Sequence, residues 1–387
     1  MKKNRYVFLC MALAAVCATS CESLSNKVEY IKRVREVTGG TSKTIGRDQT
    51  IPFVFRNREI LFEAEVNGKK DTLMLDMGVN QAVIRMVTEE ESAGMEFVDM
   101  GVTTTESASL RMCPEPLDLT LGDLRYNSFT SVVLLDEDAV CDSETRLSNH
   151  PLAGSPIALS YGGLELNFSQ GEMRMFRDHG TRPDLTGYEE VKCKFPLTGV
   201  VKVFITVDGE ERECLFDTGN HGGLILKDKR RAAKGPESDI HYEGSFGIAM
   251  SGGTEHQQYC LAQGEPVQIS AGMVTADVTF VSDIAMDNMG IKFISRFDWI
   301  FLSEQRKVYV RPRKIKPEPE EVYPYRITTT GGRITILSRC TDLDPQFAAG
   351  DVIQSVDGVP VTEENICDYF ELLKAEKDWS KYQIAVR

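Results

Sequence analysis

The chain has 387 residues, of which 42% are hydrophobic and 26% are charged, as is ordinary for a folded soluble protein. This length exceeds that of one compact domain, so two or three domains are expected. The 44 Lys and Arg residues against 58 Asp and Glu residues give a formal charge of -14. Nucleic acids and anionic membrane surfaces are therefore disfavoured as partners, because an acidic chain is repelled by polyanions.

The N terminus predicts a targeting segment that ends at Cys21. A basic start, Met1 to Arg5, precedes the apolar run "YVFLCMALAAVCA", which is too short for a comfortable membrane span. The run ends in "ATSC", which resembles a bacterial lipobox. The resemblance implies that Cys21 is lipidated and anchors an exported protein to a bacterial envelope membrane. The alternative is an ordinary secretory signal over residues 1–21, in which Cys21 is incidental.

The next two regions differ in their pattern of polar and apolar residues. Residues 22–47 are polar and have little apolar periodicity, so they predict a tether. From residue 48 onward, short alternating or fully apolar runs are separated by turn signals such as "VNGKK". This second pattern predicts a mainly β fold.

An internal duplication is visible within the β region. The segment "EAEVNGKKDTLMLDMGVNQAVI" aligns with "ITVDGEERECLFDTGNHGGLIL". Each contains a strand, a two-residue hairpin signal and a second strand that ends on Asp-x-Gly. Less closely, residues 151–176 match residues 287–312, where each unit closes with a glycine, a short amphipathic piece and a hairpin. The sequence therefore predicts two homologous β lobes, over residues 48–180 and 181–312.

The two units resemble the retropepsin-like and pepsin-like aspartic proteases. The best matches are Asp217-Thr218-Gly219 and the lobe-closing segment "MGIKFISRFDWIFLSEQRKVYV". The resemblance implies a bilobed acid-protease β-barrel architecture in which Asp76 and Asp217 form a catalytic dyad. Two carboxylates a few ångströms apart cannot both ionise, so the pair shares one proton. One then acts as base on a water molecule, while the other protonates the carbonyl oxygen of a peptide or protein substrate.

Three further residues are expected to support the dyad. Gly78 and Gly219 permit a tight backbone turn, and in the family the hydroxyl at the position of Thr218 hydrogen-bonds across the lobe interface. Met77 stands where the family has Thr or Ser, and its side chain cannot supply the matching hydrogen bond. The mechanism implies no cofactor. Since both lobes lie in one chain, a monomer is sufficient.

Met77 leaves the function open between an active aspartic endopeptidase and a catalytically degenerate, protease-like peptide-binding lipoprotein. A purely structural β scaffold is a third alternative. His221 is expected to be solvated or to support a turn rather than to act as a general base. Residues 242–254, "YEGSFGIAMSGGT", predict either a flap over the cleft or an ordinary glycine-rich connection. Residues 103–112 are a weaker flap candidate.

The cysteines and histidines predict no metal site, because neither shows the spacing of a ligand set. The number of cysteines after residue 21 is odd, so they cannot all form internal disulfides. These residues are Cys113, Cys141, Cys193, Cys214, Cys260, Cys340 and Cys367.

The C-terminal part predicts a separate domain. Residues 313–324, rich in proline and charge, are typical of a linker. Residues 325–387 resemble a small α/β PDZ domain in the motifs "AAGDVI" and "VDGVPV". PDZ domains bind extended peptides by adding a strand to a sheet edge, so a peptide ligand is implied. A helix is expected from about Glu363 to Ala375, and Ile366, Phe370 and Leu373 share one of its faces.

Overall fold

The protein is mainly β, with barrel-like sheets, two β lobes and a smaller C-terminal unit. Among the residues that the structure describes, no helix has both the length and the apolar character needed to cross a membrane. The computed structural model describes residues 21–38, 40–102, 109–134, 141, 150–177, 183–197, 199–246, 248–249, 252–253, 256–270, 272–316, 319–343 and 345–387.

A helix that begins at Cys21 precedes the first lobe and occupies residues 22–38 of the segment in which the sequence predicts a tether. Helix α1 (Cys21–Thr38) carries Tyr30 and Val34 one turn apart, and both side chains are buried in an apolar cluster of the first lobe. The Tyr30 hydroxyl also shares a hydrogen bond of 2.9 Å with Ser131 Oγ. These contacts hold this part of the segment against the first lobe. A stripe of two buried apolar side chains is too narrow to stand out in a polar sequence.

The first lobe is built on a nine-stranded sheet. Of the predicted flap candidate at residues 103–112, residues 103–108 lie outside the described residues and residues 109–112 form the start of the strand that begins at Ser109. The elements of this lobe are β1 (Ser42–Ile45), β2 (Gln49–Pro52), β3 (Val54–Arg56), β4 (Glu59–Val66), β5 (Lys69–Asp76), β6 (Val83–Val87), β7 (Val98–Val102), β8 (Ser109–Leu121), β9 (Leu124–Leu134), β10 (Leu152–Gly154), α2 (Ser155–Ala158), β11 (Gly163–Asn167) and β12 (Glu172–Phe176). The main path of the sheet runs β1-β9-β6-β10-β5-β4-β8-β7, and β3 pairs with β4.

The second lobe repeats this plan. Its elements are β13 (Glu189–Val191), β14 (Cys193–Lys194), β15 (Lys202–Val207), β16 (Glu210–Phe216), β17 (Leu224–Lys227), α3 (Lys229–Lys234), β18 (Ile240–Ser245), β19 (Ile248–Ala249), β20 (Gly252–Gly253), β21 (His256–Ile269), β22 (Gly272–Val281), β23 (Asn288–Met289), α4 (Ile291–Ile294), β24 (Phe297–Leu302) and β25 (Lys307–Pro312). Strands β18 and β21 pair antiparallel, and β19 pairs with β20. The described part of residues 242–254 therefore lies in a hairpin, and its role as a flap stays a prediction.

The closing hairpins of the two lobes form a shared sheet of order β13-β25-β24-β11-β12-β2. Strands β11 and β24 pair antiparallel at its centre, with Leu164 opposite Phe301. On the second-lobe side, Trp299 and Phe301 both pack edge-on against Phe216, with ring centroids 4.9 Å apart in each case. This packing fixes Phe216, which immediately precedes Asp217, against the sheet that joins the lobes.

The C-terminal unit is a small sheet with one helix. Ile366, Phe370 and Leu373 are buried in its core, as predicted, although the helix begins at Ile366 rather than near Glu363. The elements are β26 (Tyr325–Thr330), β27 (Arg333–Cys340), a 3-10 turn (Thr341–Leu343), β28 (Val352–Val356), β29 (Val359–Pro360), α5 (Ile366–Ala375), a second 3-10 turn (Trp379–Lys381) and β30 (Ile384–Val386).

Two connections join the C-terminal unit to the lobes. Strand β27 pairs antiparallel with β18, with Gly244 opposite Ser338, so the second-lobe sheet continues into this unit. A disulfide links Cys141, which follows β9 of the first lobe, to Cys367 of α5 across 226 residues. The backbone N–H of Cys141 also donates to Thr329 Oγ1 at 3.3 Å. The unit is therefore attached to both lobes by more than the chain that precedes it.

Candidate active site

Asp76 and Asp217 occupy equivalent places in the two lobes. Asp76 is the last residue of β5 and lies opposite Gly154 of the parallel strand β10. Asp217 directly follows β16, which pairs in parallel with β23, and its backbone N–H donates to Met289 O at 3.0 Å. Each aspartate thus ends an interior strand that has a parallel neighbour, so both carboxyl groups emerge at corresponding turns.

The two turns face each other. A Cβ atom added to Gly78 would collide with the carboxyl group of Asp217, and one added to Gly219 would collide with the carboxyl group of Asp76. Each glycine therefore packs against the carboxyl group of the opposite lobe. Neither glycine has a positive φ angle. Glycine is needed here because the opposite carboxyl group leaves no room for a side chain, rather than because a tight turn demands unusual backbone angles.

Burial makes both carboxyl groups hard to ionise. Asp76 is only 6% exposed. Burial raises the pKa of Asp76 well above its usual range and the nearby charge of Asp217 raises it further, while the N–H of Gly78, 2.8 Å from Oδ1, opposes these effects. Burial also raises the pKa of Asp217, against the lowering effect of its hydrogen-bond donors. Two carboxyl groups placed this close resist ionising together.

Asp217 has more hydrogen-bond donors than its partner. Oδ1 accepts from the N–H groups of Gly219 and Asn220, each at 3.1 Å, and Oδ2 accepts from Asn288 Nδ2 at 2.7 Å. Asn220 and Asn288 were not predicted as site residues. Asn220 could have been found because it directly follows Asp-Thr-Gly. Asn288 gives no such signal, since it lies 71 residues from the carboxyl group that it contacts.

Thr218 connects the lobes at the base of the site. Its fully buried hydroxyl donates to the backbone carbonyl oxygen of Leu75 at 2.8 Å and accepts from the backbone N–H of Met77 at 2.9 Å. The Met77 side chain is buried in the apolar core to which both lobes contribute. The second lobe therefore supplies a hydroxyl group that bridges the two turns. The equivalent residue of the first lobe, Met77, supplies no such hydroxyl group and fills space in the core.

The remaining predicted residues lie as follows. His221 Nε2 is 3.9 Å from Glu59 Oε1, and its backbone oxygen accepts from Arg58, so it contacts the first lobe. Cys21 is the first described residue, but its side chain and residues 1–20 lie outside the described atoms. Within the described ranges, no three His, Cys, Asp or Glu side chains are grouped so that they could hold a metal ion.

The site therefore consists of the buried carboxyl group of Asp76 and the partly exposed one of Asp217, held face to face by reciprocal glycine contacts and one hydroxyl brace. No protein-family model matches the chain. No curated protein matches it either. Among solved structures, a retropepsin-like aspartic protease from Rickettsia conorii is similar over 35% of this chain and 94% of its own, with 17% sequence identity and a TM-score of 0.25.

Proposed function

We propose that this protein is an aspartic endopeptidase in which Asp76 and Asp217 form the catalytic dyad. The observation that supports this proposal best is the reciprocal packing of Gly78 against Asp217 and of Gly219 against Asp76. A turn residue without a catalytic task has no need to be buried opposite a second carboxyl group, because burial of an acid is costly.

The chemistry follows from the single shared proton. The ionised carboxylate removes a proton from water as the water oxygen bonds to the peptide carbon, and the protonated carboxyl gives its proton to the carbonyl oxygen. The resulting neutral diol collapses when the C–N bond breaks. The nitrogen then takes the proton that came from water, and the diol returns the other proton to the dyad.

The cellular setting is part of the proposal. The chain would be exported, cleaved before Cys21 and held at a bacterial envelope membrane by lipid on this residue. The Cys141–Cys367 disulfide supports an extracytoplasmic location, since such bonds persist in oxidising compartments. The C-terminal unit would act as a PDZ-like module that recruits peptide substrates or partners from envelope or surface proteins.

Met77 supports a second candidate, a protein that binds peptides without cleaving them. Its side chain provides no hydroxyl on the first-lobe side of the brace, and a dyad misplaced by an ångström loses much of its rate. In this case the same cleft would hold an extended peptide, and hydrolysis would be absent.

Digestion of an unfolded protein substrate by residues 22–387 separates the two candidates. An endopeptidase cuts the substrate, and both Asp76→Asn and Asp217→Asn abolish the cuts while the variants stay folded. Digestion that survives in both variants would refute the proposed dyad. Retention of uncut peptide by the wild-type protein, measured by equilibrium binding, would favour the second candidate.

A further inference from the structure

The two lobes differ at one position beside the dyad. Leu152 of β10 lies opposite Met74, two residues before Asp76, and is buried among apolar side chains. Asn288 of β23 lies opposite Leu215, two residues before Asp217. The repeat therefore places an amide in the second lobe where the first lobe has an apolar side chain. This amide is the one that contacts Asp217 Oδ2.

The direction of the Asn288 amide is set by a chain of three hydrogen bonds. The backbone N–H of Gly222 donates to Asn220 Oδ1 at 2.8 Å, Asn220 Nδ2 donates to Asn288 Oδ1 at 2.8 Å, and Asn288 Nδ2 donates to Asp217 Oδ2 at 2.7 Å. A backbone N–H can only donate. Because this fixed donor orients Asn220, and Asn220 orients Asn288, a donor rather than an acceptor faces Asp217.

A donor at Oδ2 favours the charged form of Asp217. Together with the N–H groups of Gly219 and Asn220 on Oδ1, it gives this carboxylate donors on both oxygens. Asp76 accepts from the N–H of Gly78, and the N–H of Gly219 also favours its charged form, but Leu152 cannot supply an equivalent of the Asn288 bond. The two carboxyl groups are therefore chemically unequal although their backbones are nearly symmetric.

We propose that Asn288 is a positioning residue that keeps Asp217 as the ionised member of the dyad and leaves the shared proton on Asp76. This inference rests on the proposed function for its catalytic meaning. Asp217 would then be the base that takes a proton from water, and Asp76 would be the acid that protonates the carbonyl oxygen of the substrate.

Other charges around the pair do not account for this inequality. On the elements next to Asp217, Asp287 accepts from the N–H of Lys227 and lies 3.9 Å from Arg212, and His221 lies beside Glu59 of the first lobe. These groups have partners of their own. The titratable group that faces Asp217 from the first lobe is Asp76 itself.

Carbon-13 NMR titration of aspartate side-chain carboxyl groups in the full chain tests the inference without using activity. Signals are assigned with Asp76→Asn and Asp217→Asn. In the wild type, the Asp217 signal should record ionisation at lower pH than the Asp76 signal. Asn288→Leu, which copies the residue of the first lobe, should move the Asp217 titration upward by about one pH unit. The exposed Asn127→Leu serves as a control that should move neither signal.

The result is decisive in either direction. An Asp217 titration that Asn288→Leu leaves unchanged, or a wild type in which Asp76 ionises first, would overturn the inference. If Asn288→Leu does not fold, Asn220→Ala removes the group that orients Asn288 and should shift the Asp217 signal in the same direction by a smaller amount; no shift would again overturn it. Since NMR reports the proton directly, a protein without peptidase activity would refute the proposed function alone.

Where cleavage is found, the pH profile gives a second readout. The acidic limb of the activity should move upward in Asn288→Leu by the same amount as the Asp217 signal, because this limb reports ionisation of the base. A merely structural role of Asn288 would lower the rate at every pH and leave the limb in place.

Discussion

The hydroxyl of Thr218 in the second lobe donates to the carbonyl oxygen of Leu75 in the first lobe, over 2.8 Å and 143 residues of sequence. Leu75 immediately precedes Asp76, and Thr218 immediately follows Asp217. One buried hydroxyl therefore ties the backbone of one aspartate turn to the backbone of the other. Together with the reciprocal glycine contacts, this bond determines how far apart the two carboxyl groups lie.

Replacing Thr218 by valine should weaken the brace without changing the volume of the side chain much. The N–H of Met77 and the carbonyl oxygen of Leu75 would both lose a partner in a buried place. We expect the free energy of unfolding to fall by about 2–4 kcal/mol, measured by urea denaturation. Thr218→Ser keeps the hydroxyl and is the matched control. Equal stability of the valine and serine variants would show that the brace contributes little.

Alanine at Gly219 should abolish cleavage. Its Cβ would collide with the carboxyl group of Asp76 and push the two turns apart. A displacement of about 1 Å at reacting groups costs on the order of 100-fold in rate, so kcat should fall by at least this factor. Gly272→Ala is the control, since a Cβ there would lie 3.7 Å from Ile269 O, in ordinary contact, and should leave kcat unchanged. Full activity in Gly219→Ala would contradict the face-to-face arrangement.

Asparagine at position 76 should stabilise the protein at neutral pH. The folded-state pKa of Asp76 is raised above that of the unfolded chain, which is about 3.9. The stability that a retained proton provides is therefore fully present below pH 3.9 and is lost as pH rises through the folded pKa. Asparagine cannot ionise and escapes this loss. Asp76→Asn should gain about 1 kcal/mol or more at pH 7 and nothing near pH 3, in urea unfolding at both pH values.

The exposed Asp118→Asn is the control for this pH series and should change stability by less than about 0.5 kcal/mol at either pH. If Asp76→Asn were instead less stable than the native protein at pH 7, the ionised Asp76 carboxylate would stabilise the fold rather than destabilise it. The same raised pKa predicts that cleavage persists toward neutral pH and declines once Asp76 loses its proton.

Loss of the Cys141–Cys367 bond should destabilise the protein. The bond closes a long loop and connects the first lobe to the C-terminal unit. Cys141→Ser with Cys367→Ser should lower the free energy of unfolding by roughly 2–5 kcal/mol. The free Cys193 gives a control, Cys193→Ser, with an expected change of about 0.5 kcal/mol or less. Peptide mapping without reductant should recover the linked pair; its absence would refute the bond itself.

Much of the lobe architecture could be predicted from the sequence, because strand alternation and hairpin signals are local. The repeated strand that ends on Asp-x-Gly placed both aspartates at corresponding turns, and the closing segments correspond element by element. Helix α1 was missed because the buried apolar side chains that it contributes among the described residues, Tyr30 and Val34, form too narrow a stripe to stand out in a polar sequence. The disulfide was missed because Cys141 and Cys367 are 226 residues apart, and sequence spacing has no bearing on such a contact.

The site could be predicted only as far as its motif extends. Asp217, Thr218 and Gly219 are contiguous, and their chemistry follows from residue type. The Asn288 amide is brought to Asp217 by parallel pairing of β23 with β16, a long-range relationship. The requirement for glycine at positions 78 and 219 could not be predicted correctly either, because the carboxyl group that each glycine contacts belongs to the opposite lobe.

The central claim is that the paired carboxyl groups hydrolyse peptides, and its most direct test is cleavage of an unbiased peptide library by residues 22–387, from acid to neutral pH. Asp217→Asn, shown to be folded, is assayed in parallel. The account predicts cleavage by the native sequence, none by Asp217→Asn, and a specificity that can be read from the products. Cleavage that persists in Asp217→Asn, or no cleavage by folded native protein at any pH, would contradict it.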